Sequence, residues 1–156
     1  MFNAVIDAPF GKLGVRTDAS VVREILYLPE SVRSVAPNTT LAKRAVRQIE
    51  RYFDRASARF DLPLAPVGTA FQRRVWNAIS EIPPGLVSTY GQIAKQIGTG
   101  PRAVGQACGA NYFPLVIPCH RVVASGGIGG FANGDTEGYY LRVKRWLLAH
   151  EGVPYR

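Results

Sequence analysis

The sequence lacks several features that mark specialised classes of protein. It has two cysteines, Cys108 and Cys119, which is too few for a disulfide framework or a closed zinc site. No apolar run reaches the ~18–20 residues of a membrane-spanning helix. The opening residues, MFNAVIDAPFGK, lack the basic-then-apolar order of a secretory signal. We therefore expect a cytoplasmic protein with reduced thiols, no metal, no cofactor and no membrane partner.

Acidic residues are also scarce. Eleven Asp and Glu stand against 19 Lys and Arg, which gives a net charge of +8 at pH 7. This balance favours a polyanion as partner, nucleic acid first, although a basic surface that serves solubility is the alternative. The 47% hydrophobic content is ordinary for a globular protein, and 156 residues suffice for one domain or two small ones.

The first part of the chain predicts strands and then one helix. FNAVIDA, KLGVRT and VVREILYL are strand-like runs separated by turn signals. A helix is predicted at about 40–57, with a buried stripe that ends in Phe53 and Ala56 and a basic opposite face. That basic face is a solvated surface or, alternatively, a nucleic-acid contact. The segment RFDLPLAPVG resembles a linker, so the boundary between the domains is expected near residue 67.

The second part predicts mainly helices. Thr69 with Gln72 forms a capping-box pattern, and TYGQIAKQIG followed by PRAVGQACGAN predicts a helix-turn-helix from about Tyr90 to Ala110. The second of these helices is rich in glycine and alanine, which suits a close approach to a partner or tight packing against another helix. A buried strand, or strand plus turn, is expected at 115–124, and a last helix at about 138–150.

The stretch VIPCHRVVA places a thiol, an imidazole and a guanidinium side by side. A free thiol is mostly protonated at neutral pH, and an adjacent imidazole could take its proton if a carboxylate orients the ring. The acidic residues of the second half are Glu81, Asp135, Glu137 and Glu151, and the sequence does not say which of them is near. A buried, inert cysteine beside a structural histidine is the alternative.

The residues IPCHRVV resemble the active-site signature of the O6-alkylguanine-DNA alkyltransferases, also called methylated-DNA–protein-cysteine methyltransferases. The same family landmarks recur in order as GTAFQRRVW, IPPG, STYGQIA, RAVGQA, Asn111 and KRWLLAHEG. The resemblance is close over residues 67–152 and general over the first 65. It implies an α/β N-terminal domain at 1–66, an RNase H-like roll with a small antiparallel sheet. It also implies a mainly α C-terminal domain at 67–156, which contains the helix-turn-helix, binds DNA and carries the alkyltransferase site.

The resemblance also implies roles for individual residues. Cys119 would be the nucleophile, His120 the base acting through a water, and Glu151 the carboxylate that orients the histidine. Tyr90 would donate a hydrogen bond to the departing base, and Arg102 would fill the gap left by the flipped nucleotide. The other DNA-binding positions implied are Ala103, Gly105, Asn111 (which also fixes the turn into the active-site strand) and Arg121. The substrate-pocket positions are Tyr90, Cys108, Val122, Ala132 and Lys144.

The implied function is single-turnover repair of O6-alkylguanine, and of O4-alkylthymine, in double-stranded DNA. The protein would act as a monomer from the minor groove with little sequence specificity, in the cytoplasm or on the nucleoid of a bacterium. A non-catalytic lesion-binding protein and a cysteine hydrolase are the alternatives. The chain departs from the family pattern where Tyr112 and Phe113 follow Asn111, in the short turn GTGP, and in the longer loop at 130–144, which has Ala132 where a hydroxyl residue is usual.

Overall fold

The computed structural model describes residues 1–129 and 138–153. The chain divides into two compact units, Met1–Val67 and Gly68–Arg156. The first unit combines a three-stranded sheet with one long helix, and the described part of the second combines four α-helices with two short strands. No helix in the described ranges has both the length and the apolar character needed to cross a membrane.

The sheet of the first unit is an antiparallel meander. Its strands are β1 (Ala4–Ala8), β2 (Gly11–Thr17) and β3 (Val22–Leu28), hydrogen-bonded in that order. Ala8 pairs with Gly11, so only two residues connect β1 and β2. Leu13, Val15 and Ile25 lie on one face of the sheet and are fully buried. The three strands predicted from the sequence are confirmed to within two residues at each end.

Helix α1 (Thr40–Asp54) covers the sheet and is three residues shorter than predicted. Thr39 caps it by accepting a hydrogen bond from the Ala42 backbone N–H at 3.0 Å. The predicted buried stripe is wrong at its end, because Tyr52 is buried there and Phe53 is only half-buried, with its ring edge-to-face against Phe10. The 3.6-residue period brings position 52, three residues after Ile49, onto the face that meets the sheet.

The segment predicted to be a linker is part of the first unit. Its Pro63 carbonyl accepts from the Val22 N–H, and its Ala65 N–H donates to the Val22 carbonyl, both at 2.8 Å. These bonds extend the edge of β3, because the proline leaves a carbonyl that can still accept. Phe60 packs against Tyr52 on α1. The proline-rich composition therefore indicates an irregular segment, which is hydrogen-bonded to β3 and packs against α1.

In the second unit, local signals set where the helices begin and end. The helices are α2 (Ala70–Ser80), α3 (Tyr90–Ile97), α4 (Pro101–Gly109) and α5 (Tyr139–His150). The capping box of Thr69 and Gln72 is confirmed, and the pair Thr89 and Gln92 caps α3 in the same way. Gly98, at φ 77°, ends α3 in the left-handed conformation that favours glycine. The predicted helix-turn-helix is confirmed as α3, this turn and α4, which pack together.

A short strand pairing places the start of α3 beside the cysteine-containing segment, and a side-chain contact joins α2 to α4. Strand β4 (Ser88–Thr89) pairs in parallel with β5 (Val122–Val123), so that Thr89 lies opposite Val123. The indole N–H of Trp76 donates to the carbonyl of Ala107 at 2.9 Å and ties α2 to α4. Because Tyr90 directly follows β4, this arrangement carries it toward the residues just before β5.

The segment 115–124 is buried as predicted, but little of it is strand. Only Val122 and Val123 pair with another strand, and Cys119–Arg121 forms a short 3₁₀ turn. Pro118 has no N–H for a strand ladder, and Leu115 has a positive φ of 75°. The chain therefore bends twice and holds the cysteine in a turn. Beyond it, α5 buries Leu141, Leu147 and Leu148.

Candidate active site

The 3₁₀ turn of Cys119–Arg121 buries three consecutive side chains with different chemistry. Cys119 is 3% exposed, His120 1% and Arg121 8%. Backbone hydrogen bonds from Cys119 N to Ile117 O at 2.8 Å and from Arg121 N to Pro118 O at 2.9 Å hold the turn. Successive residues in such a turn project about 120° apart, so each of the three contacts a different set of neighbours.

His120 is held by the carboxylate of Glu151. The His120 Nε2 and Glu151 Oε2 atoms are 2.8 Å apart, and Glu151 directly follows α5. Of the four acidic residues that the sequence offered, Asp135 and Glu137 lie outside the described ranges, and Glu151 meets the histidine. Burial lowers the pKa of His120, although Glu151 opposes that effect, so the ring is neutral at pH 7. Since an ionised carboxylate only accepts, Nε2 carries the proton and Nδ1 keeps its lone pair.

The Nδ1 atom of His120 makes no hydrogen bond within the described part of the chain, although it is fully buried. A buried nitrogen lone pair without a partner is rare in folded proteins, and a catalytic role is one explanation for it. Together with the neighbouring thiol, it gives the site a base that can take a proton.

Arg121 is directed into the protein, and the DNA contact that the resemblance implies for it stays a prediction. Its Nε and Nη2 atoms donate to the two oxygens of Glu151 at 2.8 and 3.0 Å, and its Nη1 atom donates to the Ile82 carbonyl at 2.7 Å. The Ile82 carbonyl was not foreseen from the sequence. An arginine inside an apolar run was the available signal, because a buried guanidinium must be paired.

The DNA-binding role of Asn111 also stays a prediction, whereas the geometry shows how this side chain holds the turn. Its Nδ2 donates to the Ile117 carbonyl at 2.9 Å and to the Cys119 sulfur at 3.3 Å, while its Oδ1 accepts from the Phe113 N–H at 2.8 Å. Both ends of the amide are therefore used inside the protein. The side chain closes the turn that leads to the cysteine.

The Cys119 thiol is protonated in the resting protein. A hydrogen bond with Cys108 and burial raise its pKa, while the hydrogen bond from Asn111 and the charge of Lys144 oppose the rise. Cys108 is half-buried at the end of α4. The two thiols of the chain thus lie together, and the pocket role of Cys108 stays a prediction.

Tyr90 and Lys144 form a second pair within the site. The ammonium of Lys144 donates to the Val122 carbonyl at 2.8 Å and lies 3.4 Å from the Tyr90 hydroxyl. Burial lowers the pKa of Lys144 to about 8, so it remains mostly charged at pH 7. Burial also raises the pKa of Tyr90, which keeps its phenol protonated. Gly129 allows the ring its position, because a Cβ there would lie 3.0 Å from the Tyr90 Cε2 atom.

The remaining predicted residues lie on α4 or outside the described ranges. Arg102, the second residue of α4, is exposed, and Ala103 and Gly105 are half-buried on the same helix. A Cβ built on Gly105 would meet nothing within 4 Å, so close packing inside the protein does not require this glycine. Ala132 lies outside the described residues. In those ranges no three His, Cys, Asp or Glu side chains are grouped as a metal site, and the absence of a metal stays a prediction.

Comparison with known proteins assigns this arrangement to a family. The family model for the "6-O-methylguanine DNA methyltransferase, DNA binding domain" matches residues 70–153. The methylated-DNA–protein-cysteine methyltransferase of Methanosarcina acetivorans is 38% identical, with 97% of this chain and 99% of that protein covered. This chain belongs to the O6-methylguanine-DNA methyltransferase family. The family predicted from the sequence is confirmed.

Two further relatives of the methyltransferase family extend the match to the whole fold. The methylated-DNA–protein-cysteine methyltransferase of Haemophilus influenzae is 36% identical over 95% of this chain and 84% of that protein. The crystal structure of Mycobacterium tuberculosis OGT in complex with DNA superposes with a TM-score of 0.78 at 35% identity, covering 96% of this chain and 93% of that one. The predicted fold class, an α/β N-terminal part and a mainly helical C-terminal part, is confirmed.

Proposed function

We propose that this protein repairs O6-alkylguanine in DNA by accepting the alkyl group on the Cys119 sulfur, once per molecule. The observation that carries the proposal is the relay in which Glu151 accepts from His120 Nε2 and leaves the buried Nδ1 lone pair without a partner among the described residues. Membership in the methyltransferase family supplies the substrate class. O4-alkylthymine belongs to the same proposal, since it carries the alkyl group on an equivalent exocyclic oxygen.

The transfer is a displacement at the alkyl carbon. The thiol of Cys119 gives its proton to His120 Nδ1, through a water if the two are not in direct contact. The sulfur then forms a bond to the alkyl carbon while the bond from that carbon to O6 of guanine breaks. A thioether on Cys119 has no easy leaving group, so the protein is consumed. Asn111 donates to the sulfur at 3.3 Å and so stabilises the thiolate as it forms.

The leaving base needs a proton if it is to depart as neutral guanine. Tyr90 is the proposed donor: its phenol remains protonated, and the ammonium of Lys144 lies 3.4 Å from its oxygen. A positive charge beside the phenol stabilises negative charge that develops on the oxygen when the proton moves toward the base. Lys144 thus assists the leaving group through Tyr90.

DNA is the partner, and the proposed contact is the minor groove. A base in a duplex is out of reach of a buried thiol, so the damaged nucleotide must be turned out of the stack. Arg102, exposed near the start of α4, has the length and charge to fill the gap, and the small Ala103 and Gly105 let the helix approach the groove. With a net charge of +8, binding would rest on phosphates, show little sequence preference and need only a monomer.

Intact-mass measurement after incubation with an O6-methylguanine oligonucleotide tests the proposal directly. We expect one increment of a methylene group, mapped to Cys119, with no second increment at excess DNA. Cys119→Ala should fold and bind DNA without any increment, whereas Cys108→Ala should still be methylated. Binding without an increment in the wild-type protein would favour a non-catalytic lesion-binding protein. An increment on Cys108 would move the chemistry to the other thiol.

A further inference from the structure

We propose that Arg121 is a positioning residue of the transfer site: it fixes the ionised carboxylate of Glu151 and thereby makes Nδ1 of His120 the atom that accepts the thiol proton. The predicted change in transfer rate rests on the proposed function above. The position of the proton on the imidazole does not, and it can be measured without any substrate.

The geometry joins three parts of the chain at one guanidinium. The side chain of Arg121 is 9% exposed and that of Glu151 is fully buried. Two parallel hydrogen bonds run from Nε and Nη2 to the two carboxylate oxygens, at 2.8 and 3.0 Å. The third, from Nη1 to the Ile82 carbonyl at 2.7 Å, anchors the guanidinium to the segment after α2. This bidentate arrangement is the strongest that arginine makes with a carboxylate.

A buried carboxylate without a cation would take up a proton, since burial disfavours the charged form. The guanidinium of Arg121 prevents this and keeps Glu151 ionised. An ionised carboxylate can only accept hydrogen bonds. The Glu151 Oε2 atom, 2.8 Å from His120 Nε2, therefore requires the proton on Nε2 and leaves the lone pair on Nδ1. Arg121 thus decides which imidazole nitrogen is the base, through the hydrogen bonds that join it to Glu151 and Glu151 to His120.

The charges around the imidazole lead to the same conclusion. Glu151 faces it from the end of α5 and raises the pKa of His120. Arg121 from the turn and Lys144 from α5 lower that pKa, and burial lowers it most. With Arg121, the carboxylate is already neutralised and the ring stays neutral. The adjacent Cys119 thiol adds no charge at rest, because its pKa is raised.

Without the guanidinium, the buried pair of Glu151 and His120 takes up one proton, which binds either to Glu151 or to His120. If the proton goes to Glu151, the acid donates to Nε2 and the ring must carry its own proton on Nδ1. If it goes to His120, both ring nitrogens are protonated. In each case Nδ1 has no lone pair at neutral pH, and in each case a higher pH restores it. Loss of Arg121 therefore removes the base at neutral pH, and a higher pH restores it.

The test is Arg121→Met, observed by ¹⁵N NMR of the imidazole nitrogens. The chain has two histidines, so a His150→Gln background leaves only the signals of His120. We expect the neutral Nε2–H form in the wild type at pH 7 and a protonated Nδ1 in Arg121→Met. In single-turnover transfer, the ratio of wild-type to variant rates should be on the order of 100 at pH 7, the lower end of the typical ~10²–10⁴-fold contribution of general acid–base catalysis, and should fall toward one as pH rises.

Two further variants keep the result decisive. Arg145→Met removes an exposed arginine of α5 and should leave the NMR signals and the pH dependence unchanged. Arg121→Lys keeps the charge but cannot span both carboxylate oxygens and the Ile82 carbonyl, so it should lie between wild type and Arg121→Met. If Arg121→Met does not fold, the comparison of Arg121→Lys with wild type decides.

The outcomes separate the two proposals. A neutral Nε2–H histidine in Arg121→Met, or a rate ratio that is constant with pH, would overturn the positioning role and leave Arg121 as a structural ion pair. The expected NMR change in a protein whose wild type acquires no alkyl group would overturn the proposed function and leave the proton placement intact.

Discussion

Replacing Asn111 by alanine tests how the reactive cysteine is held in place. The side chain makes three hydrogen bonds: Nδ2 donates to the Ile117 carbonyl at 2.9 Å and to the Cys119 sulfur at 3.3 Å, and Oδ1 accepts from the Phe113 N–H at 2.8 Å. Phe113 and Ile117 are buried, so their backbone groups cannot reach bulk water once the amide is gone. The variant therefore leaves one buried donor, the Phe113 N–H, unsatisfied, whereas the Ile117 carbonyl keeps its hydrogen bond from the Cys119 N–H at 2.8 Å.

The magnitude of the stability loss follows from this one donor. An unsatisfied buried backbone group lowers stability by about 1–3 kcal/mol. Because Asn111 itself is half-buried, some water can enter the space that it leaves. We therefore expect the free energy of unfolding of Asn111→Ala to fall by about 1–2 kcal/mol, the lower part of the range for one such group. The longer bond to the sulfur adds little to this loss. A typical domain has about 5–15 kcal/mol of stability, so the variant should still fold.

Urea unfolding measures the loss, and single-turnover alkyl transfer gives a second readout. Without the amide donor the thiolate of Cys119 is less stabilised, so its pKa rises further and transfer at neutral pH slows. Asn77→Ala is the matched control, because Asn77 is exposed on α2 and its loss should change stability by no more than ~0.7 kcal/mol. A loss below about 0.5 kcal/mol in Asn111→Ala would mean that other contacts hold the turn, and the reasoning above would be refuted.

Two further predictions concern DNA and pH. Arg102→Ala should slow transfer from duplex DNA much more than transfer from the free base O6-methylguanine; an equal loss on both substrates would argue against a role in base flipping. Lys144→Met tests the buried ammonium. The folded-state pKa of Lys144 is about 8, below the ordinary 10.5. Between these two pH values the unfolded chain binds more protons than the folded protein. The wild type therefore gains stability as pH rises through this range, by at most about 3 kcal/mol. Cys119 and Tyr90 titrate in the opposite sense in both proteins, so the difference between the two urea-unfolding curves isolates Lys144, and identical pH dependence would show that the ammonium is not desolvated.

The sequence determined what depends on neighbours three or four residues apart. The capping box of Thr69 and Gln72, the left-handed Gly98 and Pro101 at the start of α4 all use such contacts, and all were predictable in kind from the residues. Gln92 as the partner of Thr89 carries the same signal. The adjacency of Cys119 and His120 is also a fact of the sequence, since the covalent chain alone places the two side chains together.

The site residues that act together over a distance were beyond the sequence. From composition and spacing, four acidic residues could have oriented His120, and only the family resemblance singled out Glu151. Arg121 was expected to bind DNA, yet it turns inward to the same carboxylate, 30 residues away in the chain. A strand was an open expectation at 115–124, but the chain bends there, because a proline and a positive φ at Leu115 interrupt the pairing.

The division between the two sources of information has one physical cause. Helix ends, turns and a neighbouring thiol and imidazole are decided by bonds and contacts along a few residues, which every copy of the sequence carries even before folding. The protonation of those same groups depends on burial, on the charges of Glu151 and Lys144 from α5 and its end, and on the Ile82 carbonyl that holds Arg121, which come together only in the packed protein. The sequence therefore determined which atoms can react, and the tertiary structure decided which of them holds the proton.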